Sequence, residues 1–431
     1  MRKKIFQVCK KIFFLSMISF SIFSILYFFY IYVVYSVSPF EFISEYERTK
    51  HNLKIYKKKY LKLLRKNWEN LDLKEFIKIL DETLQIRQLP IKRIVPIKKI
   101  NEEFLKNYIE KTIPEEEKDL SFIEKVLKIM GLIPKNYKLK KELINLYLSQ
   151  TAGFYDYHSQ NFYMLDYFSL REDDISKIIV SHEITHFLQD INFNIKKLLS
   201  WADGNTDKKM VVSYILEGDA TYTMLEWYYE FGSNKLIPYT LKNYLFINEQ
   251  SKELSKVPII IKNQLIFPYL KGQLFFQYLK LHLKNKDWQN LPYKKIPLST
   301  EMLLHPQKYI EYKDFPQKIT LPQQYSKGKI IYTNIMGEAN LYSIISQFNK
   351  NCNLYSKDIA AGWGGDRYFL FSDNHLIWII AFDTKKDTKE FSIFMGKNIK
   401  NWNKETRKNG YKLSYTFENN HFILNFQPIQ K

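Results

Sequence analysis

The sequence predicts an α+β protein with a single amino-terminal transmembrane helix, a mostly helical region with a short edge hairpin, and a carboxyl-terminal α+β module. Three observations support this prediction. Residues 12–40 carry no charged side chain. Apolar residues recur every three or four positions through residues 41–150 and in several later stretches, which is typical of helices. Short alternating stretches bounded by turn residues predict one hairpin before residue 166 and two more after residue 367.

The uncharged segment 12–40 predicts a membrane anchor. Its 29 residues more than span a hydrocarbon core of ~30 Å at ~1.5 Å per helical residue. A cleavable signal peptide is the alternative, with Ser36, Val37 and Ser38 as the cleavage site, but the apolar run is much longer than that of such peptides. We therefore expect residues 1–11 to form a cytoplasmic basic tail and residues 12–40 to remain attached.

Charge around this segment indicates the orientation of the anchor. Five basic residues precede it and six lie in the next 20 residues, so the positive-inside rule alone gives nearly a tie. A short basic tail before a first helix usually stays in the cytoplasm, and Glu41, Glu45 and Glu47 directly follow the segment. We expect the body of the protein in the periplasm or outside the cell.

Composition limits the partners of the chain. The net charge of +20 comes from lysines scattered along the whole sequence, and no stretch interleaves them with aromatic residues in a nucleic-acid-reading pattern. We therefore predict no nucleic-acid partner. The two cysteines, Cys9 and Cys352, form no disulfide framework because Cys9 lies on the amino-terminal tail, and they do not suggest a thiolate metal site.

Residues 41–150 are predicted to be a helical lead-in region that packs on the part that follows. Its clearest helices cover residues 72–84 and 121–130. Two short strands, 152–156 and 161–165, are then predicted to form a hairpin directly before the next helix.

The helix predicted over about residues 172–192 contains the motif His182-Glu183-Ile184-Thr185-His186. Acidic residues in its first turn complement the helix dipole, and Ser169 is the expected cap. Histidines four positions apart lie one turn apart on one face, where both can bind one divalent cation, while Glu183 lies beside the open position of the metal. Two core histidines satisfied by neighbours are the alternative, but ionisable groups on a buried face need partners.

Glu217 is the predicted third protein ligand. A tetrahedral catalytic zinc needs one, and an acid within the apolar helical stretch 211–225 needs a cation. Asp219 points elsewhere on a helix, so we expect it to support a ligand residue or to cap a loop. Residues 150–234 hold 13 acidic and 6 basic residues, a net of −7 that favours a cation site, with a solvated acidic face as the alternative.

After this helix the pattern changes from mainly helical to a mixture of helices and strands, so the chain is predicted to end in an α+β module. Helices are expected over residues 238–247 and 275–283, with a turn at 268–272, and five prolines indicate an ordered connector over 288–323. Residues 324–431 then repeat a helix–hairpin unit: helix 334–348 with strands 368–371 and 375–382, and helix 387–400 with strands 411–417 and 421–426. Residues 362–367 are expected to form the turn before the first strand, where Arg367 either reaches the cleft or pairs with an acid such as Asp366.

Several stretches carry a resemblance to known proteins: Ala152-Gly153-Phe154-Tyr155-Asp156, the motif through Asp190, Glu217-Gly218-Asp219-Ala220, Phe267-Pro268-Tyr269, Ser299-Thr300-Glu301, His305-Pro306 and Gly362-Trp363-Gly364-Gly365-Asp366-Arg367. Over about residues 90–400 the chain resembles a group of poorly characterised bacterial metallopeptidases of the zincin class. The resemblance implies a gluzincin-like arrangement, in which the two histidines of the motif and a glutamate from a later helix hold zinc.

These observations together predict a membrane-anchored, zinc-dependent peptidase whose catalytic domain covers residues 151–323. His182, His186 and Glu217 are expected to hold Zn²⁺, and Glu183 to take the proton of a water that attacks a peptide carbonyl. His305 is a candidate catalytic donor to the oxyanion, with a purely structural loop histidine as the alternative. The expected partners are a peptide or protein substrate and, through the amino-terminal helix, the membrane.

A non-catalytic alternative is a binding module or envelope scaffold with a structural metal site. The presence of Glu183 argues against it, because a structural site has no use for a general base.

Overall fold

The computed structural model describes residues 58, 73–116, 119–150, 153–166, 174–232, 256–285, 287–326, 328–349, 355–418 and 421–429. Over these residues the protein combines helices with two β-sheets, which confirms the predicted α+β class. No helix within these ranges is long and apolar enough to cross a membrane. The predicted anchor 12–40, the predicted helix 238–247 and the predicted cap Ser169 lie outside the described residues.

Long helices make up most of the structure before residue 283. They are α1 Leu73–Arg87, α2 Glu102–Glu116, α3 Leu120–Ile129, α4 Leu139–Gln150, α5 Asp174–Asn192, α6 Ile195–Ala202, α7 Thr206–Phe231 and α8 Ile259–His282. The predicted connector 288–323 is a series of short elements: the 3₁₀ turns Trp288–Asn290 and Gln323–Tyr325, with α9 Leu291–Lys294, α10 Thr300–Leu304 and α11 Pro306–Glu311 between them.

A small three-stranded sheet packs beside these helices. β2 (Gly153–Asp156) and β3 (Asn161–Leu165) form the predicted hairpin, and β2 is an edge strand. β1 (Ile97–Ile100) runs parallel to β3 and is a strand within the region 41–150, for which only helices were predicted. This strand has four residues, and Ile97 pairs with Phe162 on a distant part of the chain, so local periodicity carries no signal for it.

α5, α7 and α8 pack together at the centre of the helical part, with α7 in contact with both of the others. α7 and α8 approach each other closely at two glycines. A Cβ atom on Gly218 would lie 2.4 Å from the carbonyl carbon of Gly272. No side chain fits between the helices at this point, so the two glycines set the close approach of α7 to α8.

α8 is one continuous helix with Pro268 inside it, so the predicted turn at 268–272 is wrong. A proline in a helix interior removes one backbone hydrogen bond and is normally costly. Here Pro268 and Gly272 are both buried, and the packing of α8 against α7 outweighs the local preference for a turn.

The carboxyl-terminal part contains a five-stranded antiparallel sheet. Its strands, in the order β4–β5–β6–β8–β7, are β4 Ile330–Asn334, β5 Trp363–Phe371, β6 Leu376–Phe382, β8 His421–Pro428 and β7 Tyr411–Glu418. Both predicted hairpins are present, and β6 pairs with β8 to join them into one sheet. The accompanying helices are α12 Gly337–Phe348, α13 Ser356–Ala360 and α14 Lys385–Lys408.

Two predicted boundaries in this part are wrong. Residues 363–367 belong to β5 rather than to a turn, because the pairing with β6 shifts register between Trp363 and Gly365 and so accommodates the glycines within the strand. The helix predicted from residue 334 begins at Gly337, because β4 takes up residues 330–334.

Asp366 links the five-stranded sheet to the start of α12 through hydrogen bonds. Its buried carboxylate accepts hydrogen bonds from the backbone N–H groups of Met336 and Gly337, both at 2.9 Å, and from the indole N–H groups of Trp363 and Trp378 at 2.9 and 2.8 Å. These donors, rather than Arg367, satisfy the charge of Asp366. They join β5 and β6 to the start of α12.

Candidate metal centre

His182 and His186 project from α5 toward α7. Ile178, Ile184 and Leu188 of the same helix are buried in an apolar core with β3, which fixes the rotation of α5 about its axis. Both imidazoles are buried, and their Nε2 atoms lie 3.0 Å apart. The i, i+4 spacing thus places two ring nitrogens at one point, as helix geometry requires.

Glu217 reaches this point from α7. Its Oε2 atom lies 3.1 Å from Nε2 of His182 and 3.4 Å from Nε2 of His186. The Glu217 side chain is 23% exposed, so the cluster is accessible to solvent. The three predicted ligand residues therefore meet in space, although 31 residues separate His186 from Glu217 in the sequence.

The charges of these groups stabilise one another. Burial would raise the pKa of Glu217, but the imidazoles of His186 and His182 outweigh burial and hold that pKa well below its usual range. Burial lowers the pKa of His186, yet the carboxylates of Glu217 and Glu183 raise it to about 9. The cluster thus attracts positive charge, and protons and metal ions compete for the same lone pairs.

The arrangement fits a zinc ion. The ligand atoms of His182, His186 and Glu217 all lie within 4.8 Å of one another. A tetrahedral zinc with ligands at about 2.0–2.1 Å holds them roughly 3.3 Å apart. The observed separations are 3.0, 3.1 and 3.4 Å. Two imidazole nitrogens and one carboxylate oxygen, with a fourth position for water, are also a donor set of catalytic zinc sites.

Glu183 lies beside the cluster rather than in it. Its Oε2 atom accepts a hydrogen bond of 2.8 Å from the backbone N–H of Tyr155 on β2. Burial raises the pKa of Glu183, while the two histidines act in the opposite direction. The result is a carboxylate that is held in place by the edge strand and is more basic than one in water.

Two tyrosines that sequence analysis did not select border the cluster. The hydroxyl of Tyr157 lies 2.8 Å from Nδ1 of His186. The ring of Tyr269 stacks on His182 with 5.9 Å between the ring centroids. Burial and the carboxylate of Glu217 raise the pKa of Tyr269 well above its ordinary value, so its hydroxyl keeps its proton. The stretch Phe267-Pro268-Tyr269, part of the resemblance, is the sequence signal for Tyr269.

Asp219 lies behind the cluster and is fully buried. Its carboxylate accepts hydrogen bonds from four side chains, Arg87, Gln189, Gln289 and Tyr293. Among the described residues it is not one of the three whose ligand atoms converge. Sequence reasoning missed Arg87 and Gln189, because their partners lie on helices far away in the chain.

Asp190 also lies close behind the motif. Its Oδ2 atom accepts hydrogen bonds from Arg93 at 2.9 Å, from the hydroxyl of Tyr155 at 2.6 Å and from Gln160 at 3.1 Å. Asp190 therefore ties the end of the motif helix to the β2–β3 hairpin.

His305 lies in a different part of the molecule, between α10 and α11. Its Nε2 atom is 2.8 Å from Oε1 of Glu338 on α12. Glu338 in turn neighbours Asp207 at the start of α7, ten residues and so roughly 15 Å along the helix from Glu217. The structure does not bring His305 to the cluster with the other predicted site residues.

A second group of acids lies near His305, and we refer to it as the Lys308 cluster. Oxygen atoms of Glu301, Asp314 and Asp383 lie within 4.8 Å of one another. The ammonium group of Lys308 lies among them, 2.6 Å from Glu301 and 2.8 Å from Asp383. Because a lysine already fills this position, the Lys308 cluster is not a candidate metal site.

Comparison with known proteins adds one match. Residues 325–426 match a family model described as a domain of unknown function (DUF8575). The matched segment is less than a quarter of the chain and covers most of the carboxyl-terminal sheet, but neither α5 nor α7. No curated protein and no solved structure matches the chain.

Proposed function

We propose that this protein is a zinc-dependent peptidase of the gluzincin type, with His182, His186 and Glu217 as metal ligands and Glu183 as the general base. The observation that carries the proposal is the convergence of three candidate ligand atoms from α5 and α7, 3.0–3.4 Å apart, beside a partly buried glutamate. A bound zinc ion would lower the pKa of water and polarise a peptide carbonyl.

Glu183 performs the proton transfers. The hydrogen bond from Tyr155 fixes its Oε2 atom, which leaves Oε1 to accept a proton from the attacking water. Burial makes this carboxylate a stronger base than it would be in solution. The same oxygen then gives the proton to the amine nitrogen as the peptide C–N bond breaks.

Tyr269 is the donor that we assign to the substrate carbonyl oxygen, in place of His305. Its ring packs on the ligand His182, and its hydroxyl interacts with the ligand Glu217, so it lies at the edge of the reacting position. Because its pKa is raised, the hydroxyl has a proton to donate as the oxygen becomes negative.

The β2 edge is the proposed binding surface for an extended peptide. β2 is an edge strand, and the N–H of Tyr155 turns away from β3 toward Glu183. A peptide that adds to this edge as a further strand would therefore pass directly by the general base. This geometry favours segments that are unfolded or extended over folded protein surfaces.

The location that we propose follows from the sequence, with residues 12–40 as the anchor and the catalytic part in the periplasm or outside the cell. Protease added to intact spheroplasts should then digest the residues beyond about position 40. Full protection of these residues would show the opposite orientation.

Two substitutions test the catalytic proposal. Glu183→Gln should keep zinc, because the side chain is nearly isosteric and binds no metal, while turnover falls by about 10²–10⁴-fold. Glu217→Gln should lose zinc, because a neutral amide is a poor ligand. Zinc content and digestion of a peptide library are measured for the full-length protein in detergent. Wild-type turnover in Glu183→Gln, or loss of zinc from it, would contradict the assignment.

A further inference from the structure

A buried chain of hydrogen bonds connects Asp219 to His186 through the side chain of Gln189. Gln189 is fully buried. Its Nε2 atom donates to the backbone carbonyl of Leu216 at 3.0 Å and to Oδ2 of Asp219 at 3.1 Å. Its Oε1 atom lies 2.9 Å from Nδ1 of His186.

These partners determine which way the amide of Gln189 points. A backbone carbonyl and a carboxylate only accept hydrogen bonds, so the NH₂ end must face Leu216 and Asp219. Oε1 then faces His186 as an acceptor, and Nδ1 of His186 must carry the hydrogen. In the neutral imidazole, the form that binds a metal, the lone pair of His186 is then left on Nε2, the atom that lies 3.0 Å from Nε2 of His182.

Tyr157 reinforces the same arrangement. Its hydroxyl donates to Oε1 of Gln189 at 3.3 Å and lies 2.8 Å from Nδ1 of His186. A hydroxyl that donates to Gln189 is free to accept from the Nδ1–H group. Both neighbours of Nδ1 therefore act as acceptors.

Asp219 is itself held rigidly. Arg87 Nε lies 3.1 Å from Oδ2 and compensates the negative charge, Gln289 Nε2 donates to Oδ1 at 2.7 Å, and the hydroxyl of Tyr293 donates to Oδ2 at 2.6 Å. These residues come from α1 and from residues 288–294. The carboxylate that orients Gln189 is thus fixed by elements outside the metal-binding helices.

We infer that Gln189 is a positioning residue that holds His186 with Nε2 toward the metal, and that Asp219 orients Gln189 for this purpose. The inference rests on the proposed metal centre and deepens it. Imidazole ligands generally need a partner for their second nitrogen to fix tautomer and ring orientation. A neutral amide does this without placing another negative charge beside Glu217 and Glu183.

The chain supplies a matched control. Gln189 and Gln289 both donate an amide hydrogen to Asp219, but only Gln189 contacts His186. Gln189→Met should weaken zinc binding by about 10–100-fold, as expected for loss of a group that orients a ligand. Gln289→Met should lower thermal stability and weaken zinc binding much less than Gln189→Met, because Arg87 and Tyr293 still hold Asp219. Affinity is measured with zinc alone, by competition against a chromogenic chelator, on the full-length protein in detergent.

A second measurement does not depend on the folding of any variant. Long-range ¹H–¹⁵N spectra of the zinc-loaded wild type should show His186 protonated at Nδ1 and bound to metal through Nε2. Metal bound to Nδ1, or equal loss of affinity in both glutamine variants, would overturn the inference. Peptide cleavage is not part of either measurement, so a protein that bound zinc in this way without hydrolysing peptides would refute only the proposed function.

Discussion

The candidate metal centre and the Lys308 cluster both gather acidic side chains at buried or partly buried positions, but they obtain positive charge in different ways. At the candidate metal centre Glu217 faces two imidazoles, those of His182 and His186. In the Lys308 cluster an ammonium group of the chain itself lies among three carboxylates.

This difference indicates why only one of the two positions suits a metal. A neutral imidazole has a lone pair that can bind a cation. The ammonium group of lysine only donates hydrogen bonds and has no lone pair to offer. One ammonium cannot neutralise three carboxylates, and a proton on Glu301 reduces the remaining negative charge. Burial and the carboxylate of Glu338 raise the pKa of Glu301 to about 9. The positive charge of Lys308 is therefore balanced mainly by the carboxylates of Asp314 and Asp383.

The largest expected effect separates the two clusters by metal content. His186→Ala and His182→Ala should each remove the zinc, because two remaining ligands rarely hold it against competition. Lys308→Met should retain zinc at the wild-type level, since its contacts lie in the other cluster. Elemental analysis after dialysis against a weak chelator measures all three. Full occupancy in either histidine variant would remove the ligand assignment.

The second expected effect is a pH dependence that belongs to the Lys308 cluster. The raised pKa of Glu301, about 9 against an ordinary 4.5, means that the folded chain keeps a proton that the unfolded chain releases. The free energy of unfolding should therefore fall as pH rises through this window, by at most about 1.4 kcal/mol per pH unit. Glu301→Gln should make this slope shallower, as measured by urea unfolding across the window, while other buried acids such as Asp207 keep their own contribution. An unchanged slope would show that Glu301 is ionised in the folded protein.

The difference between the clusters also explains how much of the site was predictable. The histidines and Glu183 lie within one helical turn or so, where the period of the helix determines their geometry. Glu217 was recognisable because an acid stood within an apolar helical stretch. Glu301, Asp314 and Asp383 are spread along the chain beside residues that are commonly solvated, and only tertiary packing brings them together.

In the fold, too, the elements that depend on neighbouring residues were predictable, whereas those that depend on distant packing were not. The β2–β3 hairpin and the two carboxyl-terminal hairpins were predictable, since each is joined by a few turn residues. β1 was missed because its partner is remote, and the helix predicted over 275–283 began too late, because buried packing carries α8 through Pro268. Gln189 was missed for the related reason that its role depends on Asp219, 30 residues further along the chain.

The third expected effect is the stability that Lys308 provides. Lys308→Met leaves the carboxylates of Asp314 and Asp383 without their cation, and removal of one partner from a buried pair costs about 3–5 kcal/mol. We expect a loss of about 3 kcal/mol, because these side chains are partly exposed and water screens them. Urea unfolding of the wild type and the variant measures it, and a loss that disappears at low pH would identify the charges as its cause. Equal stability at neutral pH would show that the cluster is merely solvated.

The smallest expected effect concerns the contact that brings Tyr269 to the metal centre. A Cβ on Gly218 would lie 2.4 Å from backbone atoms of Gly272, so Gly218→Ala must push α8 away from α7. Overpacking of this kind costs about 1–3 kcal/mol. The three proposed ligands lie on α5 and α7 and should keep zinc, whereas Tyr269 on α8 moves, so peptide turnover should fall more than zinc content.

Gly396 provides the matched control for this change, because it also lies inside a helix, α14, but a Cβ there would meet nothing within 4 Å. Gly396→Ala should stabilise the protein by about 0.5–1 kcal/mol, since alanine favours a helix interior. Opposite shifts in melting temperature for the two glycine variants would attribute the effect of Gly218 to the contact between α7 and α8. A Gly218→Ala protein that gained stability as Gly396→Ala does, with unchanged turnover, would show that the spacing of these helices does not position Tyr269.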